Sequence, residues 1–396
     1  MNINLIRYLQ TTVTPFDRMK KFSGKKIRIG WLGVFPPYQN GAAAGTYYFV
    51  RELLKREDIE VGLIPINNKI EKRLFRKGVF CRPDDSELDA VIFWCTGHEF
   101  KRYSHVTDSN HEPLKIAWQT IHLDPKHRSV ESQLDDINKA DLKIFMTRWA
   151  YDICGDERGG KAYVPFGVDT SYFSPKEDKF KNAENETFKV IFNSRIHYYK
   201  GIIPFLDTIP LVLKECPDIV FRLHSPLDKF SPHLKEIMNA MKTARKRYPN
   251  NFFFDISWQQ YSEIRQVYNN ADVLVFPSNN EGFGIPIIEA MSCGIPCIVS
   301  DAPPMNEIVD HSVGFCLKQT EDYNGLLFPS PNAIAEKIIL LRKDRGLYKK
   351  MSIKARKHAK KNYDLRKIVD DIVNIVKKGT RARLMNKQDN LKTYLR

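Results

Sequence analysis

Two glutamates, Glu281 and Glu289, stand eight positions apart around a glycine-bearing turn, and Arg195 and Lys200 stand five apart in an earlier loop. The glutamates belong to the stretch Ser278-Asn279-Asn280-Glu281-Gly282-Phe283-Gly284-Ile285-Pro286-Ile287-Ile288-Glu289. Glu281 falls in the turn, and Glu289 in a helix whose first turn suits Pro286, where a missing N–H costs nothing. At ~1.5 Å and ~100° per helical residue, the two carboxylates can share one side about 10 Å apart. That span suits two ends of one ligand better than an acid and a base on one bond. A guanidinium fork with an amine point charge suits a diphosphate, which gains negative charge as it departs. Each group alone has a plainer role, since glutamates near a helix start oppose the macrodipole and cations simply solvate. The agreement of two distant stretches favours a shared site.

The elements that position these groups alternate. Before the glutamates, Val273-Leu274-Val275-Phe276 reads as a buried parallel strand, and Gly294 as the left-handed cap that stops the helix. Before Arg195, Phe188–Asn193 is a second strand. Strand, glycine turn and helix leave free N–H groups at the carboxyl edge of a sheet, where α/β folds bind phosphorylated ligands. Further strands are expected at Ile219–His224, Asn251–Ile256, Cys297–Ser300 and Gly314–Leu317. Helices are expected at Ile202–Cys216, Pro232–Arg247, Tyr261–Asn269 and Asn332–Lys343.

A similar block precedes this one. Strand Lys26–Leu32 leads into a small-residue loop from Phe35 to Gly45 and a helix from Thr46 to about Arg56. Strands follow at Glu60–Ile66, Ala90–Trp94, Leu114–Thr120 and Lys143–Thr147. His122 sits at the carboxyl end of the Leu114 strand, and His98 has a weaker claim after Ala90–Trp94. The spacing G-x-G-x-x-G is absent, so there is no dinucleotide fingerprint. Two blocks of alternating β and α imply two Rossmann-like, doubly wound parallel sheets facing across a cleft. The polar stretch Pro175–Thr187 separates a first domain, residues 23–180, from a second, residues 187–360. Residues 1–22 read as an appended helical extension, and 361–396 as a basic helical segment.

Composition narrows the class. A chain of 396 residues with 42% hydrophobic and 12% aromatic residues has the make-up of a folded two-domain protein. No apolar run approaches the roughly 20 residues of a membrane span, and residues 1–21 make no convincing secretory signal. The seven cysteines are scattered and read as reduced core residues of a cytoplasmic protein. Net charge is +15, and residues 342–396 hold 19 Lys and Arg against 5 Asp and Glu. Such a segment suggests an anionic partner, a membrane surface before nucleic acid, because no nucleic-acid motif accompanies it. A solvated helical face explains it as well. The chain has no D-x-D motif, so no carboxylate-held metal is expected.

Arg195-x4-Lys200-Gly201, then Ala271-Asp272-Val273 through Pro277-Ser278, Glu281-Gly282-Phe283-Gly284, Pro286 and Glu289-Ala290, then Gly294-x-Pro296, resembles the retaining GT-B glycosyltransferases. The likeness is to the family four group with its E-x7-E pattern. It covers nearly all of 26–360 and includes Asn324-Gly325-Leu326-Leu327-Phe328 as a later strand. The resemblance implies a hexosyl transfer, with retention, from a nucleoside-diphosphate sugar to a hydroxyl of a glycan, lipid-linked or small acceptor. Arg195 and Lys200 would hold the diphosphate of a UDP- or GDP-sugar, with no cofactor or metal. Glu281 and the backbone of Gly282, Phe283, Gly284 and Ile285 would contact the transferred sugar, Glu289 the ribose, and His122 the reacting centre. Gly45 matches a glycine of the first loop, and Ser257-Trp258 the base-contacting turn. The segment beyond about Asn362 would cross back to the first domain. Departures are Ala44 and Ser194 in place of glycines, His224-Ser225 where a glycine turn is usual, and Pro303-Pro304 in place of a small pair. The alternatives are a sugar-nucleotide epimerase, a phosphorylase-like enzyme of the same fold, or a non-enzymatic protein that binds anionic surfaces.

Overall fold

Runs of β-branched and aromatic residues become strands here because both faces of each sheet are covered by other elements. The computed structural model describes residues 26–36, 41–66, 70, 72–82, 87–94, 113–121, 129–155, 159–176, 187–226, 228, 231–257 and 263–384. The first sheet contains β1 (Ile27–Gly33), β2 (Ile59–Pro65), β3 (Val79–Phe80), β4 (Ala90–Trp94), β5 (Leu114–Gln119), β6 (Leu142–Phe145) and β7 (Gly160–Tyr163). Its order is β3-β2-β1-β4-β5-β6-β7, with every pairing parallel. Beside it lie α1 (Gly41–Leu53), α2 (Val130–Asp136) and α3 (Arg148–Ile153). Thr147 and Ser129 cap α3 and α2 through their hydroxyls. An aromatic cluster of Trp31, Phe49, Trp94 and Trp118 fills the core, with the Trp94 and Trp118 rings 4.7 Å apart.

One element departs from expectation. Helix α1 begins at Gly41, so Gly45 is a buried residue inside a helix and not part of a loop. Ala42, Ala43 and Ala44 explain this. Alanine is the best helix former, and the run offsets the ~1 kcal/mol that each flanking glycine costs.

The second sheet contains β8 (Lys189–Asn193), β9 (Val220–His224), β10 (Phe252–Asp255), β11 (Val273–Phe276), β12 (Cys297–Ser300) and β13 (Gly314–Leu317). Its order is β10-β9-β8-β11-β12-β13, again all parallel. The helices are α4 (Ile202–Glu215), α5 (Leu234–Arg247), α6 (Ile264–Asn269), α7 (Ile285–Ser292), α8 (Met305–Ile308), α9 (Pro331–Lys343) and α10 (Arg345–Asn362). An antiparallel hairpin follows, β14 (Gln319–Tyr323) and β15 (Leu326–Pro329), and β15 contains Leu326, Leu327 and Phe328 of the expected late strand. Asn324 and Gly325 turn it with φ of 56° and 78°, the mirror-image turn that matches strand twist.

The last helix, α11 (Leu365–Leu384), joins the N-terminal unit, whose described residues lie within 26–121, 129–165 and 365–384, while those of the C-terminal unit lie within Phe166–Asp364. Leu365, Ile368, Val369, Ile372, Val373 and Val376 form the buried stripe of α11 at helical spacing. That stripe packs on α1 and β5. Its polar flank is tied down by Lys377 to Asp58 at 2.6 Å and Arg383 to Asp141 at 2.6 Å, and by an Arg56–Asp370 pair. Residues 1–22, most of the polar stretch 175–187, and 385–396 lie outside the described residues.

Candidate functional site

In the second sheet the winding reverses between the neighbours β8 and β11. At such a point the loops after the two strands part in opposite directions and leave a crevice beyond their carboxyl ends. The loop after β8 carries Arg195 and Lys200, and the loop after β11 carries Glu281.

Backbone packing fixes these loops against each other. Gly201 has φ 76°, and a Cβ on it would lie 2.4 Å from the Pro277 carbonyl oxygen. Only glycine tolerates both the left-handed conformation and that approach. The Asn279 N–H donates to the Tyr199 carbonyl at 2.8 Å, and the Ser278 hydroxyl donates to the same oxygen at 3.2 Å.

Lys200 Nζ therefore reaches Glu281 Oε1 at 2.5 Å, with the side chains only 9% and 11% exposed. The ammonium also lies over the Tyr199 ring, 4.7 Å from its centre. Burial pushes the Lys200 pKa below the usual lysine range, Glu281 opposes that shift, and the Arg195 charge adds to it. Arg195 itself is more open and donates to Asp228 Oδ2 at 3.0 Å. Two cations and two carboxylates thus meet at the rim of a parallel sheet.

After Glu281 the next large side chain, Phe283, is buried. The Phe283 ring packs against Phe166 and Tyr363, with centroids 5.8 and 6.2 Å away. Gly284, at φ 99°, caps α7, and Pro286 occupies its first turn. Ile287, Ile288, Ala290 and Met291 are fully buried, each large side chain contributing roughly 1.5–3 kcal/mol. The helix closes with Gly294 at φ 70°, the Ile295 N–H donating to Ala290 O at 3.0 Å and the Gly294 N–H to Met291 O at 2.9 Å.

Glu289, inside α7, is 6% exposed. It accepts the Tyr268 hydroxyl at 2.7 Å, and Asn193 Nδ2 donates to that same hydroxyl oxygen at 2.6 Å. Burial, then the neighbouring carboxylate, raises the Tyr268 pKa well above its ordinary value, so the phenol stays a donor. The arrangement presents an acidic group, a phenol and an amide in sequence along the carboxyl edges of β11 and β8.

Arg195, Lys200, Glu281, Gly282, Phe283, Gly284, Ile285 and Glu289 all belong to this one unit. Ser257, after β10, is exposed and its N–H bonds Asp255 Oδ1 at 2.8 Å. Gly45 lies in the other unit, within α1. His98, His122 and Trp258 lie outside the described residues. Asp228, Asn193 and Tyr268 escaped the sequence reading. Asn193 ends a recognisable strand, but nothing in the local pattern marks a tyrosine in a short helix or an aspartate in a loop as its partners.

Residues 174–358 match the family model for glycosyl transferases group 1. An uncharacterised glycosyltransferase of Methanocaldococcus jannaschii is 32% identical over 197 residues, which is 49% of this chain and 46% of that protein. The aligned region spans less than half the length of the first curated relatives that the chain matches. Among solved structures, Anabaena HepE in complex with UDP and glucose superposes with a TM-score of 0.71 at 17% identity, covering 89% of this chain and 100% of that one. Sucrose-phosphate synthase from Thermosynechococcus elongatus gives 0.68 at 15% identity, with 90% and 100% covered. These likenesses show the fold, two parallel-sheet α/β units of the GT-B class.

Proposed function

We propose that this chain, whose residues 174–358 carry the glycosyl transferases group 1 pattern, is a retaining hexosyltransferase that takes its sugar from a nucleoside-diphosphate donor. The observation that carries the reading is the Lys200–Glu281 pair at the strand switch point, with Arg195 beside it and Glu289 behind it. The diphosphate lies against Lys200 and Arg195, the transferred sugar hydroxyls against Glu281, and the ribose hydroxyls against Glu289. The solved relative with UDP and glucose supports a donor of that kind.

In the reaction, the bond from the anomeric carbon to the β-phosphate oxygen breaks, and a bond to the acceptor oxygen forms on the same face. The acceptor's proton passes to the departing phosphate oxygen, so no side-chain nucleophile is required. Arg195 and Lys200 stabilise the charge that builds on the leaving group, a contribution worth ~100-fold or more in turnover. His122 is placed by the same reading beside the reacting centre. A thermal-shift screen of UDP-, GDP-, ADP- and TDP-sugars, with hydrolysis followed for each hit, tests the proposal. Stabilisation by one donor class that Arg195→Ala abolishes is expected, and no response to any of them would overturn it.

The acceptor we propose is lipid-linked, held near an anionic membrane surface by the basic C-terminal segment. No described helix is long and apolar enough to cross a membrane. The apolar stripe of α11 is already covered by its own unit, so membrane contact there is electrostatic. Flotation with anionic vesicles should therefore succeed at low salt and fail at high salt. Binding that ignores salt, or none at all, contradicts this acceptor assignment.

A further inference from the structure

Asn193, His224 and Asp255 stand in register at the carboxyl ends of β8, β9 and β10, strands that lie ~4.8 Å apart. Against this face and α6 opens a cavity of about 460 Å³, lined by Arg222, His224, Phe253, Asp255 and Glu263 among others. His224 is 6% exposed, and among the described residues neither of its ring nitrogens has a hydrogen-bond partner. Burial lowers its pKa, with Asp255 opposing, so the ring is neutral and offers one donor and one acceptor. Two buried polar atoms without partners are a standing cost unless something arrives to bond them.

The direction of the polar row says what arrives. From Glu289 the row runs through Tyr268 to Asn193, each hydrogen-bonded to the next. His224 is the following position across the sheet, and there the chain of bonds stops. A nucleoside whose ribose sits at Glu289 extends its base along this edge, one or two strand spacings away.

We infer that His224 binds the polar edge of the donor's nucleobase in this cavity. The inference rests on the donor-site reading above. An imidazole with one N–H and one bare nitrogen complements a base edge that presents an acceptor next to a donor. Which base fills the cavity is decided by the arms of the test.

Isothermal titration of the full chain with UDP, GDP, ADP and inorganic pyrophosphate tests it, using wild type, His224→Leu and His224→Gln. His224→Leu should weaken the preferred nucleoside diphosphate about 10- to 100-fold and leave pyrophosphate affinity unchanged. His224→Gln, whose amide offers a donor and an acceptor, should recover part of the loss. The ligand-free His224→Leu protein should melt at or above the wild-type temperature, because an unpartnered polar ring has been replaced by an apolar side chain. Unchanged nucleotide affinity in His224→Leu overturns the role of His224 alone. Equal losses for nucleotide and pyrophosphate also overturn it, since they mark a general disturbance of the loop. A wild type that binds no nucleoside diphosphate defeats the donor-site reading, and this inference with it.

Discussion

Replacing Lys200 with methionine removes an ammonium while keeping the length of the side chain, and leaves the Glu281 carboxylate, 11% exposed, without its partner at 2.5 Å. At an effective dielectric of ~20 that separation corresponds to about 7 kcal/mol of Coulomb attraction, most of it offset by the cost of drying two charges. Breaking one side of such a pair typically costs about 3–5 kcal/mol, while replacing both partners with apolar groups is often neutral. Lys200→Met and Glu281→Leu should therefore each destabilise by about 3 kcal/mol or more, and the double variant should return to within ~1 kcal/mol of wild type. Glu281→Leu should be the worse of the two singles, because it leaves Lys200 facing Arg195. It should also recover with rising pH. A lysine whose folded pKa is depressed holds fewer protons folded than unfolded in the interval up to its ordinary value, so stability climbs with pH through that interval. Urea unfolding of the four proteins at pH 7 and 9, with hydrogen exchange of the 199–201 and 277–281 amides, measures the cycle. All three variants should lose at least ~100-fold in sugar transfer. Singles that cost under ~1 kcal/mol, as an exposed pair would, or a double equal to the sum of the singles, would refute the reasoning.

Gly201→Ala should cost at least ~2 kcal/mol, from left-handed strain plus a Cβ 2.4 Å from the Pro277 carbonyl; denaturation midpoints check the stability, and donor titration should show weakened binding. In the N-terminal unit, the Arg56 guanidinium and then Lys377 hold the Asp58 carboxyl well below the usual range. A depressed carboxylate stabilises above its unfolded pKa and loses that contribution as pH falls through the folded value. Hydrogen exchange along α11 should thus accelerate below about pH 4. Asp58→Asn should reproduce the effect at neutral pH by ~0.5–1 kcal/mol, a modest figure because the side chain is 41% exposed; exchange in that variant that matches wild type would remove Asp58 from the account.

Strands β11, β12 and β13 could be read to the residue because apolar runs end at glycine, proline or polar turns, and a strand buried on both faces has little freedom to slip. The glycine at 294 was legible for the same reason, since a helix followed by glycine and an apolar residue has one common closure. At residues 41–45 glycine suggests a turn, while three alanines between two glycines favour a helix more strongly. The hairpin at Asn324-Gly325 carried a recognised turn signal, but its first strand, Gln319–Tyr323, is polar and half exposed, and so gave no apolar pattern. Around the site, charges announced themselves by type and spacing. Their partners did not: Asp228 meets Arg195 across 33 positions and Tyr268 meets Glu289 across 21, separations that only the fold closes.

The return of α11 also sets a timetable for synthesis. The ribosome delivers Phe166–Asp364 complete before Leu365–Leu384 emerges, so the half that begins the chain is the half that finishes last. Until then the surfaces of α1 and β5 that receive the helix stand bare. A chain cut at residue 364 would keep those surfaces bare permanently, and its weakness would show far from the cut, in the part of the protein translated first.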